Sequence, residues 1–377
     1  MKPLYVLLLS TLLVACSSND SVDLEPAELV DIENEMDLDA LWSEDVGAGT
    51  GDGFVIQALS VLNDSVFSSD ANGLITALDR NNGDELWETH LEQPVSGGTG
   101  VAGNLVVVGT QAGNVIALDS ATGETRWQAA VGGEVLAPPQ GNGTVVVVQT
   151  LSGRVYGLNA NDGAELWMHE SVTPALTLRG TSTPLIWGNS VITGFSSGKV
   201  VALDINEGTA QWEQRIAIPR GRSELERVVD IDGSPLLIGD SIFSGSYQGR
   251  LVAINRNTGK GLWAKPESTY NNLAGGMGYV FVADADGKLK AYNATSGALV
   301  WENDQLARRE LGAPQTFGSY VAVADYAGYV HVMNQSDGQM VARRKVDGDG
   351  VRSPMLGVGN ILYVHGNSGE LEALSVQ

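Results

Sequence analysis

The feature that most constrains this chain is a repeat with a period near forty residues. In each repeat a turn of small residues ends in glycine and leads into a short run in which apolar and polar residues alternate, as in residues 74–78. Glycine adopts positive φ without steric cost, and alternation with a period of two predicts a half-buried strand. We therefore expect a hairpin in every repeat. The glycines of these first turns are Gly73, Gly113, Gly153, Gly198, Gly249, Gly287, Gly328 and Gly369.

Each repeat except the last also carries a second turn. An Asp or Asn opens it, as at Asp79, and a glycine closes it, as at Gly83. An Asp or Asn side chain there can hydrogen-bond the backbone two residues further on. Four residues after the closing glycine stands a tryptophan in six repeats: Trp87, Trp127, Trp167, Trp212, Trp263 and Trp301. The period and the turns are typical of β-propeller blades with four antiparallel strands. We predict an all-β fold, an eight-bladed propeller.

The eighth repeat is incomplete. The chain ends at Gln377, before the second turn and the tryptophan of that repeat, whereas Trp42 precedes the first complete repeat. We expect the N-terminal strand to join the last blade, which would close the propeller and remove an exposed sheet edge. Ala342 stands where the seventh repeat should have its tryptophan, and this predicts a loosely packed blade junction. The predicted propeller domain spans residues 41–377.

The start of the chain predicts export and lipidation. Met1 and Lys2 precede the apolar run 4–13, which is too short to span a membrane as a helix. Residues 13–16, Leu-Val-Ala-Cys, match the bacterial lipobox, and Cys16 is the chain's only cysteine. We predict a lipoprotein signal peptide over residues 1–15 and an acylated (palmitate-type) Cys16. The residue after it is serine rather than aspartate, which resembles the sorting signal for the outer membrane. An ordinary signal peptide with a chance cysteine is the alternative.

Charge narrows the class of partner. The chain has 45 acidic and 22 basic residues, a net charge of −23. Such a balance argues against nucleic acid and against electrostatic binding to an anionic membrane surface. Nine acids and no basic residue lie within residues 20–39. Over residues 16–40 we expect an extended, solvated acidic tether that repels itself; a functional acidic tail is the alternative.

The repeat itself resembles those of quinoprotein alcohol dehydrogenases, which bind pyrroloquinoline quinone. That resemblance implies an adjacent cysteine pair, a calcium site and a catalytic aspartate, and a chain with one cysteine cannot supply the pair. The four histidines lie in different repeats without metal-ligand spacing: His90, His169, His331 and His365. We find no nucleophile, base and orienting group that form a set. We therefore predict no catalytic residue, no metal and no cofactor.

A binding surface remains, and two long connections between repeats indicate where it lies. They cover residues 170–180 and 218–232. Both follow the tryptophan strand of neighbouring blades, so both should emerge side by side on one face, where loops on a rigid scaffold carry function. Leu176 and Leu178 could point outward as an apolar anchor beside Arg179. Alternatively, the two leucines begin the inner strand of the next blade.

The first turns, for example at Asn114 and Arg154, are expected on the opposite face of the disc.

The lipobox, the acidic tether, the repeats and the segments 174–180 and 230–232 together resemble the BamB family over essentially the whole chain. These are lipoproteins of the β-barrel assembly machinery of Gram-negative outer membranes. The resemblance implies a non-catalytic scaffold on the periplasmic face of the outer membrane. It would dock on the periplasmic POTRA domains of BamA, meet the other BAM subunits indirectly, and assist outer membrane proteins, which it could also contact while they are unfolded. By this resemblance the partner-binding residues are Leu176, Leu178, Arg179, Asp230 and Asp232.

Two other classes stay open from the sequence alone. One is a degenerate periplasmic quinoprotein dehydrogenase. The other is a ligand-binding propeller, for carbohydrate or peptidoglycan, although aromatic residues make up only 6% of the chain.

Overall fold

The computed structural model describes residues 25–32, 35–51 and 55–376. Across these residues the chain forms 32 β-strands and one 3₁₀ turn, Leu225–Arg227. The predicted all-β class is confirmed. None of the helical structure in these residues is long and apolar enough to cross a membrane. The predicted signal peptide and the lipidation site at Cys16 lie outside the described residues.

The strands form six sheets of four strands and one sheet of eight. In the larger sheet, two four-stranded halves meet through one parallel pair, Gly141 opposite Ala102. We therefore describe eight units of four strands, numbered along the chain.

Unit one comprises β2 (Ser60–Leu62), β3 (Ser65–Ser69), β4 (Leu74–Asp79) and β5 (Glu85–His90). Unit two comprises β6 (Val95–Ala102), β7 (Leu105–Thr110), β8 (Asn114–Asp119) and β9 (Thr125–Ala130). Unit three comprises β10 (Gln140–Gly141), β11 (Val145–Gln149), β12 (Arg154–Asn159) and β13 (Glu165–Glu170). Unit four comprises β14 (Leu185–Trp187), β15 (Ser190–Phe195), β16 (Lys199–Asp204) and β17 (Ala210–Arg215).

Unit five comprises β18 (Leu236–Ile238), β19 (Ser241–Ser244), β20 (Arg250–Asn255) and β21 (Gly261–Pro266). Unit six comprises β22 (Ala274–Gly276), β23 (Tyr279–Ala283), β24 (Leu289–Asn293) and β25 (Leu299–Asn303). Unit seven comprises β26 (Gln315–Phe317), β27 (Tyr320–Ala324), β28 (Tyr329–Asn334) and β29 (Met340–Lys345). Unit eight comprises β30 (Leu356–Val358), β31 (Ile361–His365), β32 (Glu370–Val376) and the N-terminal strand β1 (Leu38–Asp45).

The direction of the strands assigns every turn to one of two faces. Antiparallel neighbours reverse direction, so the first turns and the connections between units emerge together, on what we call the loop face. The remaining turns emerge on the opposite face. Consistent with this, the Ser171 amide, in a connection between units, donates to the Gly153 carbonyl, in a first turn, at 2.9 Å. The expectation that the first turns at Asn114 and Arg154 lie opposite the long connections is therefore wrong.

Each tryptophan of the repeat locks its unit to the next one. Trp87 Nε1 donates to the Ser120 carbonyl at 3.0 Å, in the second turn of unit two. Gly123 closes that turn with a φ of 73°, and a Cβ at this position would lie 2.6 Å from the Trp87 ring. Only glycine allows the indole to approach so closely. The same ring-to-glycine contact recurs in Trp42–Gly83, Trp127–Gly163, Trp167–Gly208, Trp212–Gly259, Trp263–Gly297 and Trp301–Gly338.

The two ends of the chain meet in unit eight. Strand β1 lies antiparallel to β32, with Leu38 opposite Val376 and Trp42 opposite Ala373. Trp42 is buried, and its Nε1 donates to the Arg80 carbonyl of unit one at 3.1 Å.

This meeting of the ends explains Ala342. The tryptophans of the repeat dock on a turn between the third and fourth strands of the next unit. In unit eight those two strands come from opposite ends of the chain, so no turn joins them to receive a tryptophan from unit seven. Ala342 is fully buried in one apolar cluster with Leu38, and Met36 packs against the same cluster. N-terminal residues occupy this junction, so the loose packing expected there is not found.

The residues before β1 also lie on the propeller units. Residues 25–32 and 35–37, which we call the strap, form no helix or strand and cross the outer edge of unit seven. Leu29 and Ile32 pack against the apolar cluster shared by units six and seven. This part of the chain therefore differs from the solvated tether expected over residues 16–40.

Candidate functional site

The two long connections predicted to carry function lie in contact on the loop face. Loop A covers residues 171–184, between β13 and β14, and loop B covers residues 216–235, between β17 and β18. The Asp230 carboxylate of loop B accepts a hydrogen bond from the Leu178 amide of loop A. Ser182 Oγ of loop A donates to the Gly233 carbonyl of loop B at 3.2 Å. The two loops therefore form one continuous surface, and hydrogen bonds between them hold its base together.

The leucines of loop A belong to this surface and not to a strand. Strand β14 begins at Leu185, so the alternative that Leu176 and Leu178 start an inner strand is wrong. Leu176 is 43% exposed, and Leu178 is half-buried. Together the two side chains form a small apolar surface that is exposed to water in the unbound protein and that a partner could cover.

Sequence reasoning missed three further apolar side chains on the two loops. Val172 is 85% exposed, Leu225 is 68% exposed, and Ile218 also faces solvent. Their signal was available: each is an apolar residue in a long connection that completes no strand pattern. Exposed apolar groups that cluster on one face are typical of protein interaction sites.

Arg179 is turned toward unit three. Its guanidinium forms an ion pair with Glu134, which lies in the connection between β9 and β10, and nearly half of its side chain remains exposed. Arg179 and Asp232 both line a cavity of about 480 Å³ where the inner strands of the units converge. The candidate surface thus extends from the tips of the loops to the mouth of this central cavity.

Asp230 lies beneath the surface. Its side chain is fully buried, with one carboxylate oxygen bonded to the Leu178 amide and the other without a hydrogen-bond partner. Burial raises the pKa of Asp230 to about 6, against the lowering effect of the Leu178 hydrogen bond. In this structure Asp230 shapes loop A from below, and it presents no accessible atom to a partner.

Asp232 is half-buried and faces Gly180 of loop A. A Cβ on Gly180 would lie 2.7 Å from the Asp232 Cγ, so the close contact requires glycine. Burial, and secondarily the charge of Asp230, raise the pKa of Asp232 to about 7. Two desolvated carboxyl groups side by side favour a proton or an approaching cation. The base of the site is therefore suited to a positively charged partner group.

Two of the four histidines, His331 and His365, lie in the interior of separate units, whereas His90 is exposed and His169 is half-buried. His331 Nε2 lies 3.0 Å from Asp325 Oδ2, and His365 Nδ1 lies 3.4 Å from the Gln57 carbonyl; both rings are fully buried. His169 packs beside Phe195. Within the part of the chain that the structure describes, no three His, Cys, Asp or Glu side chains are grouped so that they could hold a metal ion.

Comparison with known proteins gives a consistent result over the full length. The family model described as "Outer membrane protein assembly factor BamB" matches residues 71–289 and 285–377. The protein of that name from Pseudomonas aeruginosa is 54% identical over 372 residues, covering 99% of this chain and 98% of its own length. The one from Kangiella koreensis is 43% identical, covering 92% of this chain and 89% of its own.

Solved structures agree in fold. The crystal structure of BamB from Moraxella catarrhalis superposes with a TM-score of 0.83 at 29% identity, covering 90% of this chain and 99% of that one. The quinohemoprotein alcohol dehydrogenase from Comamonas testosteroni has a TM-score of 0.71 at 14% identity, covering 92% of this chain and 78% of that one. The second likeness is one of fold alone.

Proposed function

Because the chain belongs to the BamB family of outer membrane protein assembly factors, we propose that it acts as a non-catalytic scaffold of the β-barrel assembly machinery. The observation that carries this is the 54% identity to an outer membrane protein assembly factor across 99% of the chain. The chain is thus an assembly factor associated with the outer membrane. It assists the folding and insertion of outer membrane proteins by positioning a partner and not by a chemical step.

The scaffold itself is a closed propeller of eight blades, one for each four-stranded unit. Two features support this: β1 pairs with β32 at the meeting of the chain ends, and Trp42 docks from unit eight onto unit one. A closed ring in which every unit packs between two neighbours is a stiff platform for loops.

The partner is BamA, bound through its periplasmic POTRA domains at loops A and B. Leu176, Leu178 and Arg179 form the contact, because they combine exposed apolar area with a guanidinium. Asp232 receives a positively charged group at the cavity mouth, and Asp230 acts indirectly by holding the Leu178 backbone. Other subunits of the machinery are reached through BamA, and unfolded outer membrane proteins are a further contact.

The protein is anchored on the periplasmic face of the outer membrane by lipid on Cys16, after removal of residues 1–15. The sequence around Cys16 and the absence of any other cysteine support this assignment. The degenerate quinoprotein dehydrogenase is the weaker reading, because its support is a likeness of fold at 14% identity.

Co-purification with BamA from detergent-solubilised membranes tests the docking surface. Leu176→Ser with Arg179→Ala should abolish co-purification, because loss of a central apolar or arginine anchor costs about 2 kcal/mol or more. The thermal unfolding curve should stay in place, since neither residue lies in a strand.

The matched control is Leu166→Ser with Arg126→Ala. Leu166 and Arg126 are comparably exposed, and both lie where an outer strand leaves the opposite face. This pair should co-purify with BamA as the unaltered protein does. Equal loss in the two double variants would show that loops A and B are not the docking surface.

A further inference from the structure

The strap crosses the rim of unit seven from one face to the other. At its start, the Ala27 amide donates to the Ala307 carbonyl at 3.0 Å, in the connection between β25 and β26 on the loop face. At its end, the Glu35 amide donates to the Val341 carbonyl at 2.9 Å. Gln339, in a turn on the opposite face, donates its side-chain amide to the Glu35 carboxylate at 2.5 Å. Glu25, the first described residue of the strap, therefore lies at the loop face.

Three arginines hold the strap by its backbone. Arg308 Nε donates to the Glu25 carbonyl at 2.7 Å, and Arg309 Nη1 donates to the Ala27 carbonyl at 3.0 Å. Arg343 Nη1 donates to the Val30 carbonyl at 2.8 Å. Hydrogen bonds from charged donors are stronger than those between neutral groups. The strap is thus fixed at three carbonyls spread along its first six residues.

A buried polar network orients two of these arginines. Arg309 Nε donates to Asp325 Oδ2 at 2.6 Å, and the same oxygen lies 3.0 Å from His331 Nε2. On the other side of the ring, His331 Nδ1 accepts from Arg343 Nε at 3.1 Å. Asp325 and His331 are fully buried, so they link the two guanidinium groups through the interior of unit seven. The arginines that hold the strap are therefore held in place by the buried core of unit seven.

We propose that the docked strap fixes where the lipid anchor leaves the disc: on the loop face, with only a short segment of chain between the strap and Cys16. This rests on the proposed lipidation of Cys16. Glu25 lies nine positions after Cys16, and an extended chain spans at most about 3.3–3.6 Å per residue, hence roughly 30 Å. A released strap would add about a dozen residues and an exit on the opposite face. With the strap docked, the anchor and loops A and B share one face, and a bound partner lies between the disc and the membrane.

Energy transfer to the membrane surface tests the exit face. The full-length lipidated protein is placed in phosphatidylethanolamine–phosphatidylglycerol vesicles with a fluorescent acceptor lipid. Because Cys16 is the only cysteine, an introduced cysteine is the single free thiol for the donor dye. Ala285→Cys puts it on the loop face of unit six, and Thr295→Cys puts it on the opposite face of the same unit; both positions are exposed. We expect transfer at least twofold stronger from position 285.

Arg308→Ala with Arg343→Ala should release the strap and remove this difference. Amide exchange at Ala27 and Glu35 should rise about tenfold, while exchange in the strands stays unchanged. The matched control is Arg215→Ala, which removes an exposed arginine that donates to the Ser197 carbonyl of unit four at 3.2 Å. This control should retain both the transfer difference and the slow exchange.

A second variant does not touch the arginines. Twenty Gly-Ser residues inserted after Ser21 should leave strap exchange slow but lower the transfer from position 285. This proposal alone would be overturned if the protein bound vesicles with equal transfer from both labels. It would also be overturned if the amides of the unaltered strap exchanged as fast as those of the released strap. Failure of every variant to bind vesicles would instead contradict the lipidation of Cys16, and the proposal with it.

Discussion

At the scale of single residues, the candidate site is governed by two carboxyl groups that are costly to ionise. Asp230 is fully buried with one unbonded oxygen, and Asp232 is half-buried beside it. The burial of these two carboxyl groups cannot be predicted from the sequence, because loop A, which packs over Asp230, contacts it through the Leu178 amide, 52 positions away. The resemblance to a known family could supply the two positions but not their burial.

Asp232→Asn should stabilise the protein at neutral and higher pH. The pKa of Asp232 is about 7 in the folded chain against an ordinary 3.8. Between these values the folded state holds a proton that the unfolded state has released, so stability falls as pH rises through this window. Asparagine carries no charge to desolvate. We expect a gain on the order of 1 kcal/mol at pH 8, below the full value for such a shift because the carboxyl is partly exposed.

Thermal unfolding at pH 4, 6 and 8 measures this. The advantage of Asp232→Asn should be absent at pH 4 and grow toward pH 8. An advantage that is largest at pH 4 would contradict the assigned pKa.

At the scale of elements, the repeat could be predicted because each part of it is encoded locally. Turn glycines and alternating strands lie within a few residues of one another, so their pattern survives in the sequence. The lock between Trp87 and Gly123 explains why the spacing is kept, but it joins two units and could be seen only in three dimensions. The wrong prediction that the first turns lie opposite the long connections could have been avoided, because the alternation of antiparallel strands alone puts the first turns and the connections between units on the same face.

Gly123→Ala should be strongly destabilising. The residue has a φ of 73°, and an added Cβ would lie 2.6 Å from both Thr89 Oγ1 and the Trp87 ring. Backbone strain and overpacking of this kind each cost about 1–3 kcal/mol. Gly278→Ala is the matched control, because its φ is 79° and no atom lies within 4 Å of its Cβ position. Chemical denaturation should show a clearly larger loss for the first variant than for the second, which adds the backbone strain alone; similar losses would mean that the tryptophan contact is not a lock.

At the scale of the whole molecule, the chain is organised by where its two ends meet. The acidic N-terminal segment predicts a linker by composition, yet its apolar residues Leu29, Ile32 and Met36 pack against units six to eight. The arginines that hold it lie some 280 to 310 positions away. Long-range docking of this kind leaves only a weak trace in the sequence, namely apolar residues at intervals in an otherwise polar stretch.

Deletion of residues 41–44 should destabilise the entire molecule. It removes Trp42 and the middle of β1, which leaves β32 as an exposed edge and uncovers the apolar cluster between units eight and one. Burial of a tryptophan alone is worth about 3 kcal/mol or more. Differential scanning calorimetry should show a marked fall in Tm, and an unchanged Tm would mean that β1 contributes no structural strand.

A circular permutant carries the same argument further. Leu38 lies opposite Val376 at the open end of unit eight, so an Asp-x-x-x-Gly turn like those of the other units can join β32 to β1. The new turn replaces the strap, which then no longer lies against Ala342, and the new termini are placed in loop B, between Ser223 and Glu224. In the natural chain, Ala342→Trp should be destabilising by about 1–3 kcal/mol, because the site is filled and has no turn to receive the indole. In the permutant the new turn supplies a carbonyl and a glycine, and the same substitution should cost much less. Equal losses in the two backgrounds, measured by denaturant unfolding, would show that the position of the chain ends does not explain the missing tryptophan.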